Sequence, residues 1–172
     1  MGSFSSRGTQ LLSLLVLLIA ARASADEPLP APSVCTERGA VVTVIVRKRE
    51  LWLCEDGMAV RTFHVALGRG GIDKHRKGDG RTPVGSYALG LPRPSSQYGV
   101  FIPIVYPNAD QAAQGFTGSE VGSHGPPRGL SEPEYPTTAV DWTQGCIATG
   151  TDEEVGAIAE FVRARRPRVV IR

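Results

Sequence analysis

The chain has 172 residues, 21% of them charged and 41% hydrophobic, with a formal net charge of +2. A balance this close to neutral lacks the strong positive field on which non-specific nucleic-acid binding depends. Three cysteines, an odd number, leave at least one thiol unpaired whatever the others do.

The first 25 residues stand apart in composition. Arg7 precedes an unbroken apolar run from Leu14 to Ala21, and Ala23-Ser24-Ala25 places small residues where a signal peptidase cuts. This pattern predicts a secretory signal over 1–25. The apolar run is too short for a membrane anchor, which needs about 18 residues or more, so no transmembrane anchor is expected after cleavage. Cleavage would remove Arg7 and Arg22 and no acid, bringing the formal charge to zero. The expected location is outside the cytoplasm, periplasmic or wall-associated. In such an oxidising compartment Cys35 and Cys54 either pair or stay reduced and buried; pairing would leave Cys146 free.

Residues 26–40, with Pro28, Pro30 and Pro32, read as an extended lead-in, and the domain proper spans 41–172. Val41 to Val46 is β-branched, and Leu51 to Cys54 follows after a charged turn, which predicts a hairpin. Asp56-Gly57 predicts a second tight turn, with a third strand from Ala59 to Leu67. A charged, glycine-rich loop follows over 71–80, and its basic run Lys74-His75-Arg76-Lys77 reads as solvated. Gly68 to Gly71 is no phosphate cradle, because no Gly-Lys-Ser/Thr follows it.

Thr82-Pro83-Val84-Gly85 turns into a strand over 86–89. Val100 to Tyr106 is apolar but contains Pro103, which predicts an edge strand or an extended segment. Asn108 to Gln114 predicts a short capped helix. One longer helix is strongly marked. Thr151 and Glu154 form a capping box, Val155, Ile158, Ala159 and Val162 make one apolar stripe, and Pro167 ends it. A final strand covers 168–171. The fold class is therefore mainly β, a sandwich or distorted barrel, with one amphipathic helix near the C-terminus.

Two glycine-flanked polar sites carry the chemistry: Ser123-His124-Gly125, and Thr143-Gln144-Gly145-Cys146 just before the helix. A free thiol is only slightly ionised at neutral pH, so a nucleophilic cysteine needs a base beside it. His124 is the histidine nearest in sequence to Cys146. Gly145 permits close approach of a substrate carbonyl, and the amides around Gly145 and Cys146 are candidates for an oxyanion hole. One Cys and one His fall short of a zinc ligand set, and neither CxxC nor HExxH occurs, so no metal site is expected. His64, in a strand, and His75, in a charged loop, are not expected to be catalytic.

These segments resemble a known family. The run from Val41 to Leu89, including Gly78-Asp79-Gly80-Arg81-Thr82-Pro83-Val84-Gly85-Ser86-Tyr87, is similar to the first half of the L,D-transpeptidase (YkuD-type) catalytic domain. His124-Gly125 and then Thr143-Gln144-Gly145-Cys146-Ile147 resemble its active-site signature. Asp141 to Ala148 looks nearest the YafK-like branch, with Gln144 and Ala148 where many members have His and Arg or Asn. The resemblance implies a thiol acyl-transferase acting on peptidoglycan stem peptides at the bond following a diamino acid with a free D-centre. Cys146 would form a thioester, His124 would move the proton, and the Gly125 carbonyl would orient the imidazole. Trp142, Thr143, Gln144 and Gly145 would shape substrate or oxyanion contacts. No metal or organic cofactor is implied. Two alternatives share the same residues: a hydrolase of wall links, including links to a wall-anchored protein, and a wall-binding module without chemistry. The proline-rich stretch from Pro126 to Trp142 reads either as a lid or as a stiff surface loop.

Overall fold

The computed structural model describes residues 1–2, 34–129 and 137–172. The expected signal, most of the lead-in and the centre of the Pro126 to Trp142 stretch lie outside the described residues. None of the described helices is long and apolar enough to cross a membrane.

Strands β1 (Ala40–Ile45), β2 (Glu50–Glu55) and β3 (Met58–Ala66) form two successive antiparallel hairpins, with Val42 opposite Leu53 and Leu51 opposite Phe63. The tight turn between β2 and β3 is Asp56-Gly57, both at positive φ (50° and 81°), as a two-residue hairpin of this hand requires. The later strands are β4 (Gly85–Ala88), β5 (Arg93–Ser95), β6 (Gly99–Pro103), β7 (Gly122–His124), β8 (Ile147–Thr149) and β9 (Arg168–Ile171). Together they make one nine-stranded sheet in the order β4-β9-β1-β2-β3-β8-β7-β6-β5.

β3 serves both halves of this sheet. Its earlier residues pair with β2, whereas Val65 and Ala66 pair with β8. The halves approach again at their far ends, where Leu89 after β4 bridges Ile104 after β6 and Val105 N–H donates to Ala88 O at 2.9 Å. A sheet whose end strand meets its second-last strand is a distorted barrel, in agreement with the expected class.

β6 is not an edge strand, because β5 lies outside it. Pro103 is nevertheless accommodated at its last residue, where β5 has ended and the Pro103 carbonyl accepts from Gly90 N–H at 2.8 Å. Proline there forfeits no ladder donor.

Two α-helices complete the fold among the described residues. α1 (Ala109–Ala113) and α2 (Asp152–Arg165) each start with a reciprocal capping box, from Asn108 with Gln111 and from Thr151 with Glu154. Each such cap contributes about 1 kcal/mol. α2 buries Val155, Ile158, Ala159 and Val162, the stripe read from the sequence, against the cluster of Val44, Leu51, Val65, Ile102 and Ile147. Each large aliphatic residue in that stripe contributes roughly 1.5–3 kcal/mol on burial. The helix N-terminus is thereby fixed directly after β8.

A smaller apolar cluster of Val41, Cys35 and Cys54 packs apart from this core. Cys35 and Cys54 are joined in a disulfide with Cα atoms 5.4 Å apart, so Cys146 is the free cysteine. The cross-link ties the segment before β1 to β2.

Candidate active site

β7 and β8 lie parallel, with Ser123 opposite Ile147 and His124 opposite Ala148. Because side chains alternate along a strand, Cys146, one residue ahead of Ile147, falls on the same face as Ala148 and His124. Cys146 and His124 thus enter one cavity of about 410 Å³, lined also by Arg93, Tyr98, Glu120, Thr143 and Gln144.

The imidazole of His124 is only 1% exposed. Its Nδ1 lies 2.7 Å from the carbonyl oxygen of Gly125. A carbonyl only accepts, so Nδ1 carries the hydrogen and the neutral ring has its lone pair on Nε2. Tyr98 stacks on the ring at a centroid distance of 3.8 Å, Trp142 meets it edge-on at 5.7 Å, and Phe101 lies at 6.5 Å. Gly125 has no room for a side chain: a Cβ there would stand 3.0 Å from Asp152 Oδ1 and 3.1 Å from Val155 Cγ1. The first turn of α2 therefore packs closely against the glycine whose carbonyl orients the histidine.

The loop that carries Cys146 is clasped from within. Thr143, 3% exposed, accepts from Gly145 N–H at 3.0 Å and donates to Cys146 O at 2.7 Å through one hydroxyl. Its backbone is pinned on both sides, by Thr143 N–H to Leu67 O at 3.1 Å and Arg69 N–H to Thr143 O at 2.9 Å. Gly145 has φ of 122°, and a Cβ there would collide with the Arg81 carbonyl. Both features require glycine. Because the Gly145 amide is committed to Thr143, one of the two amides expected at an oxyanion hole is already occupied.

The Cys146 thiol is half-buried and reaches the Glu120 carbonyl at 3.5 Å. Burial pushes its pKa up and the Glu120 carboxylate adds to this, against a downward pull from the Gly122 backbone and from the Lys74 ammonium. Burial also pushes His124 below the usual histidine range, more than the Gly125 carbonyl restores. Both shifts favour a neutral thiol beside a neutral imidazole over a preformed ion pair.

Of the residues expected from sequence, His124, Cys146, Thr143 and Gln144 line the cavity, with Gln144 exposed at its surface. Trp142, Gly125 and Gly145 do not line it. Trp142 packs behind His124 and Tyr98 and donates through Nε1 to Thr137 O at 2.8 Å. His64 is exposed on β3, and His75 stacks on Phe116 at 4.2 Å. Lys74 departs from the solvated loop expected of its basic run. It is 3% exposed, and its ammonium pairs with Asp79 at 2.7 Å and donates to Arg76 O at 3.0 Å.

The sequence did not point to Tyr98, Phe101 or Arg93, because they lie on segments remote from both motifs, nor to Glu120, which stands only four residues before His124 but outside the glycine-flanked motif. Asp141, two residues before Thr143, lies in the run that carries the family resemblance but was not among the expected site residues. It binds Leu67 N–H at 2.9 Å and the Arg49 guanidinium at 2.9 and 3.1 Å, which ties the segment before Thr143 to the end of β3. A tyrosine inside the polar run Ser95-Ser96-Gln97, just before Gly99, was the available signal for Tyr98. Among the described residues, no three His, Cys, Asp or Glu side chains gather to hold a metal.

Solved structures share this architecture. The helical cell shape determining protein Pgp2 from Campylobacter jejuni is 28% identical, with a TM-score of 0.63 over 77% of this chain and 47% of that one. Bd1075 from Bdellovibrio bacteriovorus (20%, TM-score 0.57, 78% and 48% of the two chains) and an L,D-transpeptidase from Mycobacterium smegmatis (11%, 0.52, 78% and 58%) share the fold. The chain spans about half the length of the first two. No curated protein sequence matches it. The sequence matches the profile of the L,D-transpeptidase catalytic domain, YkuD, over residues 39–171, and the chain belongs to that family.

Proposed function

We propose that this protein is a cysteine acyl-transferase that forms a thioester with a peptidoglycan stem peptide and passes it to an amine. One observation carries the reading: the Nδ1 to Gly125 carbonyl bond leaves His124 Nε2 as a base in the cavity that also holds Cys146. In the first half-reaction the thiol proton moves to Nε2 as Sγ bonds to the peptide carbonyl carbon. The carbon–nitrogen bond then breaks, and the leaving amine takes the proton from Nε2. The acceptor amine attacks the thioester, gives its proton to Nε2, and the carbon–sulfur bond breaks with return of the proton to Sγ.

The neutral starting pair suits this sequence, because the imidazole must be unprotonated to act as base. Stacking on Tyr98 and the Gly125 bond fix the ring before substrate arrives, which limits the reorganisation needed in the transition state. The family membership and the wall role of its members support a substrate in the wall and an exported location. Gln144 and Ala148 support placement in the YafK-like branch.

The test is incubation of the purified protein with tetrapeptide muropeptides beside the Cys146→Ala variant, read by mass spectrometry. The expected result is a Cys146-dependent acyl-enzyme and a new cross-link. A shortened stem without a cross-link would identify water as the acceptor and replace transfer by hydrolysis. Equal wall remodelling by the wild type and Cys146→Ala, or no acyl-enzyme at all, would refute thioester chemistry and leave a wall-binding module.

A further inference from the structure

Among the described residues lining the cavity, Arg93 and Glu120 are the permanently charged pair. Arg93 Nη2 and Glu120 Oε2 stand 2.8 Å apart, and their side chains are 51% and 76% exposed. A pair this exposed is weak in water and opens readily for a competing ligand. Both arms are nevertheless built onto the candidate catalytic residues. The Arg93 guanidinium lies over the Phe101 ring at 4.8 Å, and Phe101 is the register partner of His124 across β6 and β7. The carbonyl of Glu120 is the one that accepts from the Cys146 thiol.

Glu120 also holds a backbone conformation uncommon for a residue with a Cβ, φ of 55°. A surface ion pair needs no such conformation. In this conformation the Glu120 carbonyl meets the thiol while the residue lines the cavity, and backbone strain of this kind clusters at functional sites.

We propose that Arg93 and Glu120 form a clamp for a zwitterionic amino-acid centre of the substrate, its carboxylate on Arg93 and its ammonium on Glu120. The planar guanidinium takes a carboxylate in two parallel hydrogen bonds, a stronger contact than the exposed pair it replaces. The matching substrate class is a stem peptide whose diamino acid keeps one amino and one carboxyl group free, so this inference rests on the reading of Cys146 as its acylation site. Glu120 opposes ionisation of the thiol; an ammonium docked on its carboxylate cancels that opposition. Binding of the correct end thereby favours the thiolate only when substrate is present.

The test measures binding separately from chemistry. Full-length Cys146→Ala protein is titrated calorimetrically with three probes. They are a stem tetrapeptide with meso-diaminopimelate at its third position, the same peptide amidated at the free D-centre carboxyl, and the same peptide acetylated at the D-centre amine. Each modification is expected to weaken binding at least tenfold. Arg93→Gln should erase the preference over the amidated probe and keep that over the acetylated one; Glu120→Gln should do the reverse, and Arg93→Lys should keep part of the first preference. Equal binding of all three probes, no binding of any, or preferences that survive both substitutions would overturn the clamp. Acylation of wild-type Cys146 without probe preference defeats the clamp alone, whereas preserved preferences without acylation defeat the thioester reading alone.

Discussion

Thr143→Val tests whether one buried hydroxyl holds the loop that carries Cys146. Valine matches threonine in shape, so the substitution removes the hydroxyl without opening a cavity. Two groups lose their partner, the Gly145 N–H at 3.0 Å and the Cys146 carbonyl at 2.7 Å. A buried polar group left unpaired costs about 1–3 kcal/mol. Cys146 is half-buried, so water can reach its carbonyl and the lower end applies there, giving a total of about 2–4 kcal/mol. The Thr143 backbone keeps its bonds to Leu67 and Arg69, which confines the damage to 144–146. Equilibrium unfolding in guanidinium chloride should show the loss as a lower midpoint with an unchanged slope. Acyl-enzyme formation should slow at least tenfold, since a displacement of about 1 Å at a reacting atom costs on the order of a hundredfold. Thr143→Ser keeps the hydroxyl, loses one methyl and should cost only about 1 kcal/mol with nearly full acylation. Wild-type stability and acylation in Thr143→Val would refute the clasp.

Two further outcomes follow from the same structure. Alkylation of Cys146 by iodoacetamide should climb steadily with pH through the alkaline range. Burial raises the thiol pKa and lowers that of His124, so deprotonation of the thiol and not of the imidazole sets the rate; a pH-independent plateau between about pH 5 and 8, the mark of a thiolate–imidazolium pair, would contradict this. Replacing Cys35 and Cys54 together by serine should cost about 3 kcal/mol, the loop-closure entropy for a sequence separation of 19. Cys146 alkylation should be unchanged in that variant, because the disulfide cluster packs apart from the main core, and a changed alkylation rate would show that the two regions are coupled.

Much of the frame was legible before any coordinates, for local reasons. The hairpins from β1 to β3, the Asp56-Gly57 turn and the capped α2 with its stripe rest on neighbouring residues, where backbone preference and burial pattern agree. β5, β7 and β8 were not legible. Each has three residues, too few to show an alternation, and each forms only because longer elements hold its partner. Pro103 misled for a related reason: it bars a position in a sheet only where a ladder donor is needed, and only the neighbouring strand determines that.

Residue type and order alone were enough to nominate Cys146 as the candidate nucleophile and His124 as its candidate base, in His124-Gly125 and Thr143-Gln144-Gly145-Cys146. Tertiary structure decided everything that depends on segments meeting. The parallel pairing of β7 with β8 brings the thiol and imidazole to one cavity, the first turn of α2 packs against Gly125, and the Lys74 ammonium is buried against Asp79 instead of solvated. It also delivered Tyr98 and Arg93 to the site from positions remote in the chain, and turned the nearby Glu120 toward the cavity. The physical reason is that a side chain's chemistry is local, whereas its protonation, orientation and access are set by what packs against it.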